Sequence, residues 1–412
     1  MAIDERPDVS RAHGSPLRRR EFRLYFGGNL ISNIGNWLQH VVLAVYMHQL
    51  TDSSFWVGMV GLGMNLPVLL FALPAGALAD RYDRVTLLRR SQVFAGALAI
   101  ALTILVATDT ANRYVVTAIA FGIGTAIAVA IPTMQSLIPN LVPHDELPDA
   151  IRMNALSFNL ARLVGPVVAA ATVATVGIVW AFGINAATFI ALIVALAMIG
   201  TAPFQRPADK SAGKIREGIA YAWRHLRTRW MLLSIVAIGI TLDPITTLAP
   251  AISQRLALGE SGAGWIVASW GGGAVLMIVF GRGLIRTFTE HGLGWVGLIA
   301  LSGGVAGLGV IPVPMIALAF AVLSGAGYIS ATMVFTTTIQ SSVPESLRGR
   351  VSALWTLAFL GPRSFASVLD GALADAAGSQ WAAVAFASVA LVAALFLRRV
   401  DGSRNEPIPP PA

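Results

Sequence analysis

Cysteine is absent from this sequence, and charged residues make up only 12% of its 412 positions. Without cysteine, the chain has no disulfide framework, no thiolate metal site and no cysteine nucleophile. Globular proteins carry about 25% charged residues, so this chain has about half the charge that a water-soluble surface of its size needs. Hydrophobic residues account for 56% of the sequence and the mean hydropathy is +0.71, which predicts an integral membrane protein.

Patterns typical of soluble enzymes are also missing. The six histidines are scattered and none stands in an HExxH arrangement, so no metal site is predicted. The glycine-rich stretches at 271–273 and 303–307 do not follow a strand, which excludes phosphate-binding loops and indicates close helix packing instead. We therefore expect no metal, no cofactor and no enzymatic activity.

Arginine and lysine are distributed asymmetrically along the chain. The net charge is +8, but excess basic residues are expected on the cytoplasmic loops of a membrane protein, so no nucleic-acid partner is predicted. Nearly all of the 29 basic residues fall on one side of the predicted membrane map. Outside loops hold only Arg113 and Arg255, whereas Arg162 and Arg363 fall within spans. The sequence thus predicts a multi-pass protein of the cytoplasmic (inner) membrane with both termini in the cytoplasm.

Twelve segments are long enough to cross the roughly 30 Å hydrocarbon layer as helices. They lie at 24–49, 55–79, 86–108, 114–138, 152–176, 178–201, 230–254, 262–285, 292–311, 315–339, 351–374 and 379–398. The longest connection divides them into two six-helix bundles, 24–201 and 230–398. A cytoplasmic lead at 1–23 precedes the bundles, and a cytoplasmic tail at 399–412 follows them.

The connection between the bundles, residues 202–229, contains an amphipathic pattern. Apolar side chains share one helical face while arginines and Lys214 lie elsewhere around the helix; the apolar positions are Ile215, Ile219, Ala222, Trp223 and Leu226. This pattern predicts a helix that lies on the cytoplasmic surface of the membrane. A soluble linker helix is the alternative.

A weak internal repeat indicates that the two bundles are related. One segment after the fourth helix and one after the tenth each contain Val-Pro, an acidic residue and a leucine, and then a helix that reaches Gly-Pro. Such repeats are common in secondary transporters, whose substrate sites lie near the midplane between the halves. The predicted fold class is an all-α integral membrane protein with twelve transmembrane helices in two pseudo-symmetric six-helix bundles.

The stretch GALADRYDR at 76–84, which follows the second predicted helix, resembles the loop signature of the major facilitator superfamily. The family pattern is close to G-x-L-a-D-R-x-G-R, and here Asp83 replaces its second glycine. Strings at 30–39, 130–143, 216–227 and 348–357 are similar to the drug- and siderophore-exporting branch, which includes macrolide efflux proteins and the enterobactin exporter. The resemblance implies the major facilitator fold and an exporter that works by alternating access.

Two departures from the family pattern affect the coupling mechanism. The fourth helix lacks the mid-span arginine of many proton-coupled members. In the fifth helix, Ala161, Ala169 and Ala170 stand where antiporters usually have glycine. Proton antiport therefore does not follow from the resemblance alone.

The resemblance also implies a cytoplasmic gate. In the family, the aspartate of the loop signature meets the start of the eleventh helix, so Asp80 is expected near Gly349, where the helix N-terminus carries partial positive charge. Gly76, Arg81 and Arg84 are expected to complete this gate, which latches the outward-facing state. The letters GALAD recur at 371–375 on the predicted outer side, where no arginine follows. Packing by small residues and coincidence both explain that second copy.

Polar residues in the first predicted helix form a stripe. Asn29, Asn33, Asn36 and His40 are spaced by four, three and four residues, which places them within an arc of roughly 60°. Polar side chains inside a span are costly and usually face water or one another. We interpret the stripe as a wall of the substrate cavity, with hydrogen bonding between helices as the alternative.

Four ionisable residues lie deep within predicted spans. Arg363 and Asp370 share a face of the eleventh helix, Asp243 precedes Pro244 in the seventh, and Arg162 lies in the fifth. We expect Asp243, Arg363 and Asp370 to form a group whose pairing changes as protons bind. Arg162 is expected to act as a further coupling charge. A static buried ion pair that fixes helix register is the alternative.

Aromatic and polar residues of the later helices are expected to complete the cavity. Trp37, Tyr328, Phe335 and Trp355 lie deep enough to bind a flat amphipathic substrate, and helix packing explains each of them equally. Thr356 lies on the same stripe of the eleventh helix as Arg363. The predicted cavity is thus shared between the two bundles.

The function predicted from these features is secondary active transport by alternating access. The substrate is expected to be a small amphipathic or lipophilic compound, such as a drug, a siderophore or a secondary metabolite, and its export is driven by protons. An uptake permease, a lipid or lysolipid flippase, and a transport-inactive receptor or assembly factor are the alternatives. The expected partners are the substrate, protons and the lipid bilayer, and the expected oligomeric state is a monomer.

Overall fold

The computed structural model describes residues 15–200, 202–203, 215–281 and 290–402, and the regular elements in this part of the chain are all helical. Short 3-10 turns at Pro16–Arg18 and Ile138–Asn140 precede α1 and α5. In chain order the helices are α1 (Arg20–Thr51), α2 (Ser54–Arg81), α3 (Arg84–Ala107), α4 (Arg113–Leu137), α5 (Leu147–Thr175), α6 (Ile178–Ile199), α7 (Ile215–Arg224), α8 (Leu226–Leu242), α9 (Pro244–Thr247), α10 (Ala249–Arg255), α11 (Gly262–Phe280), α12 (Glu290–Val310), α13 (Pro314–Ser342), α14 (Glu345–Ala377) and α15 (Ser379–Gly402).

Ten helical segments of the described chain are long and apolar enough to cross a membrane. The other two predicted spans correspond to α1 and α14, which have 32 and 33 residues and are long enough to cross but less apolar. They are the two helices whose polar stripes indicated a cavity, and the polar residues of those stripes lower their hydropathy. Within the described residues, each of the twelve predicted segments therefore corresponds to helical structure.

The predicted seventh span is not one continuous helix, and the single segment 230–254 was wrong in that respect. The chain forms α8, the four-residue α9 and then α10, with interruptions at Asp243 and Leu248. Pro244 and Pro250 lack the N–H that an intact helix needs and crowd the preceding turn. The first interruption lies next to the Asp243 carboxylate, so it determines where that charge is placed.

The helices pack as two groups of six that meet along two lines of contact. In the first group α1 packs against α5 and α6, and α2 against α4; in the second α12 packs against α13 and α15, and α8 against α14. Between the groups, α2 packs against α14 and α5 packs against α11. In both contacts between the groups, α2 with α14 and α5 with α11, the two helices run in opposite directions.

One end of this assembly, which we name the arginine-rich face, holds the start of α1, the connection from α2 to α3 and the end of α15. Arg19 there bonds Glu146 at 2.8 Å, just before α5. This hydrogen bond and the charge of Glu146 raise the pKa of the Arg19 guanidinium. The contact links the beginning of the first helix to the fifth at the same face.

The two arginines predicted in outside loops, both at the opposite face, have structural partners. Arg113 lies over the Trp56 ring, with its guanidinium carbon 4.8 Å from the ring centroid. Arg255 donates to the Leu308 and Val310 carbonyls at 3.0 and 3.3 Å, at the C-terminal end of α12. A cation at a helix C-terminus contributes about 0.3–1 kcal/mol, so Arg255 stabilises the end of α12. Arg113 is held by its contact with the Trp56 ring.

Helix α7 lies within the predicted connection 202–229, of which residues 204–214 and the side chains of 215–218 are outside the described part. Ile219 and Trp223 on its apolar face are 49% and 71% exposed. The Tyr221 hydroxyl donates to the Ser342 carbonyl at 3.2 Å and holds α7 against the end of α13. Ala222 of the same face is buried, and the position of α7 on the membrane surface stays a prediction.

Candidate functional site

A buried ion pair lies where α14 packs against the break between α8 and α9. The Nε atom of Arg363 is 3.0 Å from Oδ1 of Asp243, and these side chains are 15% and 2% exposed. The Thr247 hydroxyl donates to the other carboxylate oxygen at 2.8 Å, and Nη2 of Arg363 lies 3.4 Å from Thr246 Oγ1. The structure thus brings together two of the three residues of the predicted charge group in a hydrogen-bonded, neutral pair.

Asp370 lies on the same helix, two turns after Arg363. It is completely buried, and neither of its carboxylate oxygens has a hydrogen-bond partner among the described residues. An ionised carboxylate needs donors when it leaves water, because an unpartnered buried charge is very costly. Asp370 is therefore the member of the charge group without a compensating cation or donor side chain in the described chain.

Arg162 lies apart from this group, and its role as a further coupling charge stays a prediction. It is 6% exposed and no carboxylate in the described chain lies within salt-bridge distance of it. Instead it donates to the Asn159 side chain and, at 3.3 Å, to the Tyr328 hydroxyl. Its guanidinium carbon lies 5.3 and 5.2 Å from the ring centroids of Trp270 and Tyr328.

Aromatic rings from both halves surround Arg162. Trp270 contacts Trp37 with 6.2 Å between ring centroids and Tyr328 with 5.6 Å. Tyr328 in turn contacts Phe359, which stacks on Trp355 at 5.5 Å. We name these rings, together with Phe158 beside Trp37, the aromatic cluster: Trp37, Phe158, Trp270, Tyr328, Trp355 and Phe359.

The cluster contains three of the four aromatic residues predicted for the cavity. Trp37, Tyr328 and Trp355 belong to it, but Phe335 does not: it is 3% exposed and packs against Gly294 of α12. Phe335 therefore fills a helix contact within the second half. Trp270 was not among the four predicted residues, although it is the ninth of the 19 residues of α11 and so lies at mid-span depth.

The polar stripe of α1 divides into two parts. Asn29 is buried and donates to Asn154 of α5 at 3.2 Å. This is hydrogen bonding between helices, the alternative to a cavity wall. Asn33 and Asn36 are half-buried, and their cavity role stays a prediction. His40 lines a narrow cavity between the halves together with Trp37, Val41, Thr246, Ala249 and Val267. Thr356, on α14, is exposed.

At the arginine-rich face, the predicted gate residues lie at the end of α2. Asp80 and Arg81 are exposed and Arg84 is half-buried, and the space beside Gly76 is open. Gly349 belongs to α14, but its surroundings are outside the described residues. The contact between Asp80 and Gly349 therefore stays a prediction.

At the opposite face, the second GALAD copy forms a contact that the sequence did not reveal. Its aspartate, Asp375, accepts hydrogen bonds from the Ser53 hydroxyl and from the backbone N–H groups of Ser54 and Phe55, the latter two at 2.7 and 3.1 Å. These groups form the N-terminus of α2, where a carboxylate is favoured. Asp375 thus joins the second half to the first, beside the close approach of Gly371 to Ser54.

Comparison with known proteins identifies this arrangement. A model of the transmembrane secretion effector family matches residues 12–404. The chain belongs to this family. It is 24% identical over 349 residues to proteins named enterobactin exporter EntS from Escherichia coli and Shigella boydii, covering 81% of this chain and 80% of each of theirs. Membership of the major facilitator superfamily, and of its exporter-like branch, is thereby confirmed.

Solved structures show the same fold. A bacterial homolog of the human lysosomal transporter Spinster, in an inward-facing and unoccupied conformation, gives a TM-score of 0.74 at 15% identity and covers 96% of this chain and 100% of its own. The nucleoside transporter NupG gives 0.72 at 12% identity, covering 92% of this chain and 99% of its own. The predicted twelve-helix major facilitator fold is confirmed, and this secretion effector family member is a secondary transporter of that type.

Replacing Asp375 by alanine in this transporter is expected to weaken closure of the opposite face. The change removes acceptors from a helix N-terminus, an effect of about 1–2 kcal/mol, so the closed population should fall several-fold. Spin labels on Thr110→Cys and Pro312→Cys, in a chain without native cysteine, report the separation of the halves. Glu260→Ala removes an exposed carboxylate at the same face and serves as control. An unchanged distance distribution in Asp375→Ala would show that Asp375 does not hold this face closed.

Proposed function

We propose that this protein exports small amphipathic or lipophilic compounds across the cytoplasmic membrane by alternating access, driven by protons. The observation that carries the proposal is the buried charge group at the junction of the halves, in which Asp243 and Arg363 are paired and Asp370 has no hydrogen-bonding side chain among the described residues. Intramembrane ionisable groups of this kind mark ion and substrate pathways because they are costly to keep. The relatives named as exporters support the direction.

The arginine-rich face is assigned to the cytoplasm. Arginines concentrate on the cytoplasmic side of a membrane protein, and the end of α2 and the start of α3 at this face carry Arg81, Arg84, Arg89 and Arg90. With this orientation both chain termini are cytoplasmic. The protein then works as a monomer whose cavity faces the cytoplasm when Asp375 holds the opposite face closed.

Proton binding at Asp370 is proposed to control which carboxylate Arg363 pairs with. While Asp370 carries a proton it is neutral, and Arg363 bonds Asp243 as observed. Loss of that proton creates a second buried carboxylate two turns away on the same helix, which competes for the same guanidinium. The competition shifts α14 against α8 and α9. Since α14 also forms the contact with α2, the shift reaches the Asp375 contact.

Reconstitution into liposomes with an imposed pH gradient tests the proposal. Antibiotics, dyes, siderophores and lysolipids are screened for transport that depends on the gradient, and Asp370→Asn is then compared with the wild type. Because asparagine has the shape of the protonated carboxyl group, we expect normal folding and substrate counterflow, with gradient-driven transport reduced at least about tenfold. The matched control is Asp149→Asn, at an exposed ion pair on α5.

Two outcomes would reject parts of this proposal. Gradient-driven transport at the wild-type rate in Asp370→Asn would remove this residue from coupling. If no screened compound responds to the pH gradient in the wild-type protein, proton-driven export is the wrong function for this chain.

A further inference from the structure

Two arginines lie near the junction of the halves, Arg162 buried and Arg363 largely covered, and in the described chain only Arg363 has a counter-charge. Arg363 bonds the Asp243 carboxylate. Arg162 has only the neutral side chains of Asn159 and Tyr328 as hydrogen-bond partners in the described chain. A buried charge without an opposite charge is costly. Arg162 thus carries a positive charge, in a water-poor site, that no carboxylate of the described chain neutralises.

The surroundings of Arg162 suit a planar ligand. The Trp270 and Tyr328 rings lie over the guanidinium, and Trp37 and Phe359 extend this ring surface on either side. Aromatic rings pack favourably against other rings in offset or edge-on arrangements. An acidic group at Arg162 would therefore hold an attached ring against the aromatic cluster.

The cluster is buried at its base and accessible at its rim. Trp270 and Tyr328 are 2% and 7% exposed. Phe158, one turn before Arg162 on α5, is 48% exposed, and Trp355, two turns before Arg363 on α14, is half-buried. Both α5 and α14 begin at the arginine-rich face, so the rim lies on the side of the cluster nearer to that face. A ligand from that side reaches the rings first and the guanidinium last.

We infer that Arg162 binds the acidic group of a planar aromatic substrate, while the aromatic cluster binds its ring. The inference rests on the proposed exporter function and narrows its substrates from amphipathic compounds in general to aromatic acids. Both halves contribute to the site: Arg162 and Trp37 come from the first, Trp270 and Tyr328 from the second. Separation of the halves would divide the site and release the ligand.

The test is an equilibrium titration of the purified full-length protein in lipid nanodiscs with three matched probes, 1-naphthoate, 1-naphthamide and 1-naphthylmethylamine. Calorimetry measures binding, and empty nanodiscs correct for partition into lipid. We expect wild-type protein to bind naphthoate about tenfold or more tightly than naphthamide, since hydrogen bonds between two charged groups are stronger than those to a neutral amide. The amine should bind most weakly because it repels the arginine.

Arg162→Gln should abolish the preference for the acid over the amide, and Arg162→Lys should keep part of it, since lysine retains the charge but not the planar pair of donors. The control is Arg152→Gln on the same helix, an arginine whose side chain is 79% exposed. Equal affinity of the wild type for naphthoate and naphthamide would overturn the inference, and so would an acid preference that survives in Arg162→Gln. The wild-type and lysine measurements decide the matter even if Arg162→Gln does not fold.

Binding is measured without a pH gradient, so the two proposals can fail separately. An acid preference at Arg162 together with no gradient-driven transport would reject proton-driven export and keep the binding site. Gradient-driven transport without any acid preference would keep the exporter and reject the binding site.

Discussion

Replacing Arg363 by glutamine is expected to destabilise the folded protein by about 3–5 kcal/mol, because the change leaves the Asp243 carboxylate buried without its cation. Asp243 is only 2% exposed, so water cannot take the place of the guanidinium. The double variant Asp243→Asn with Arg363→Gln removes both charges and should recover most of the lost stability. Thermal unfolding in nanodiscs measures both effects.

Stability and transport should separate in the double variant. If the pairing of Arg363 changes as protons bind, the double variant folds but loses gradient-driven transport, by at least about tenfold. Arg152→Gln, which breaks an exposed ion pair with Asp149, should change neither quantity, since exposed pairs contribute about 0–1 kcal/mol. Wild-type gradient-driven transport in the double variant would instead establish the static ion pair that fixes helix register.

The fold could be predicted from the sequence because lipid imposes strong constraints. A chain inside a membrane must satisfy its backbone hydrogen bonds within each segment, so long apolar runs have to be helices. The same rule explains α1 and α14, whose polar stripes lower their hydropathy and mark the interior of the bundle. The break at Pro244 was harder to predict, because Pro67 and Pro166 remain inside continuous helices. Only the surroundings of a proline decide whether the helix stops there.

Parts of the candidate site could be predicted because depth in the membrane can be counted along a helix. Asp243 and Arg363 were expected at similar depth, and the structure pairs them. The surroundings of Arg162 could not be predicted, since its partner Tyr328 lies 166 positions away and the choice of neighbour depends on how the helices pack. Phe335 has the right depth but faces α12. Depth therefore selects candidates, and helix rotation decides among them.

Asp375 shows the same limit at the surface. Its five-letter repeat was visible in the sequence, but its significance depends on the antiparallel contact of α2 with α14. That contact brings the end of each helix to the start of the other. Asp375 at the end of α14 bonds the start of α2, and Asp80 at the end of α2 is expected at the start of α14. The two GALAD copies would then close the two faces alternately, Asp375 the opposite face and Asp80 the arginine-rich face.

Gly58→Leu is expected to keep the opposite face from closing. Gly58 of α2 packs directly on the Ser367 carbonyl of α14, so even a single added carbon would collide with backbone, which cannot move aside as a side chain would. Forcing a large side chain into a packed contact costs about 1–3 kcal/mol or more. Here the two halves can relieve the collision by separating along α2 and α14. Gly58→Leu should therefore prevent closure of the opposite face without unfolding the protein.

Transport by alternating access needs both closed states, so Gly58→Leu should reduce it more than about tenfold while expression and unfolding temperature change little. The Thr110→Cys and Pro312→Cys spin labels should move apart, in the same direction as with Asp375→Ala and further. Gly303→Leu provides the control, because Gly303 lies in a helix with open space beside it. Wild-type label distances in Gly58→Leu would mean that the contact of α2 with α14 does not control closure of this face.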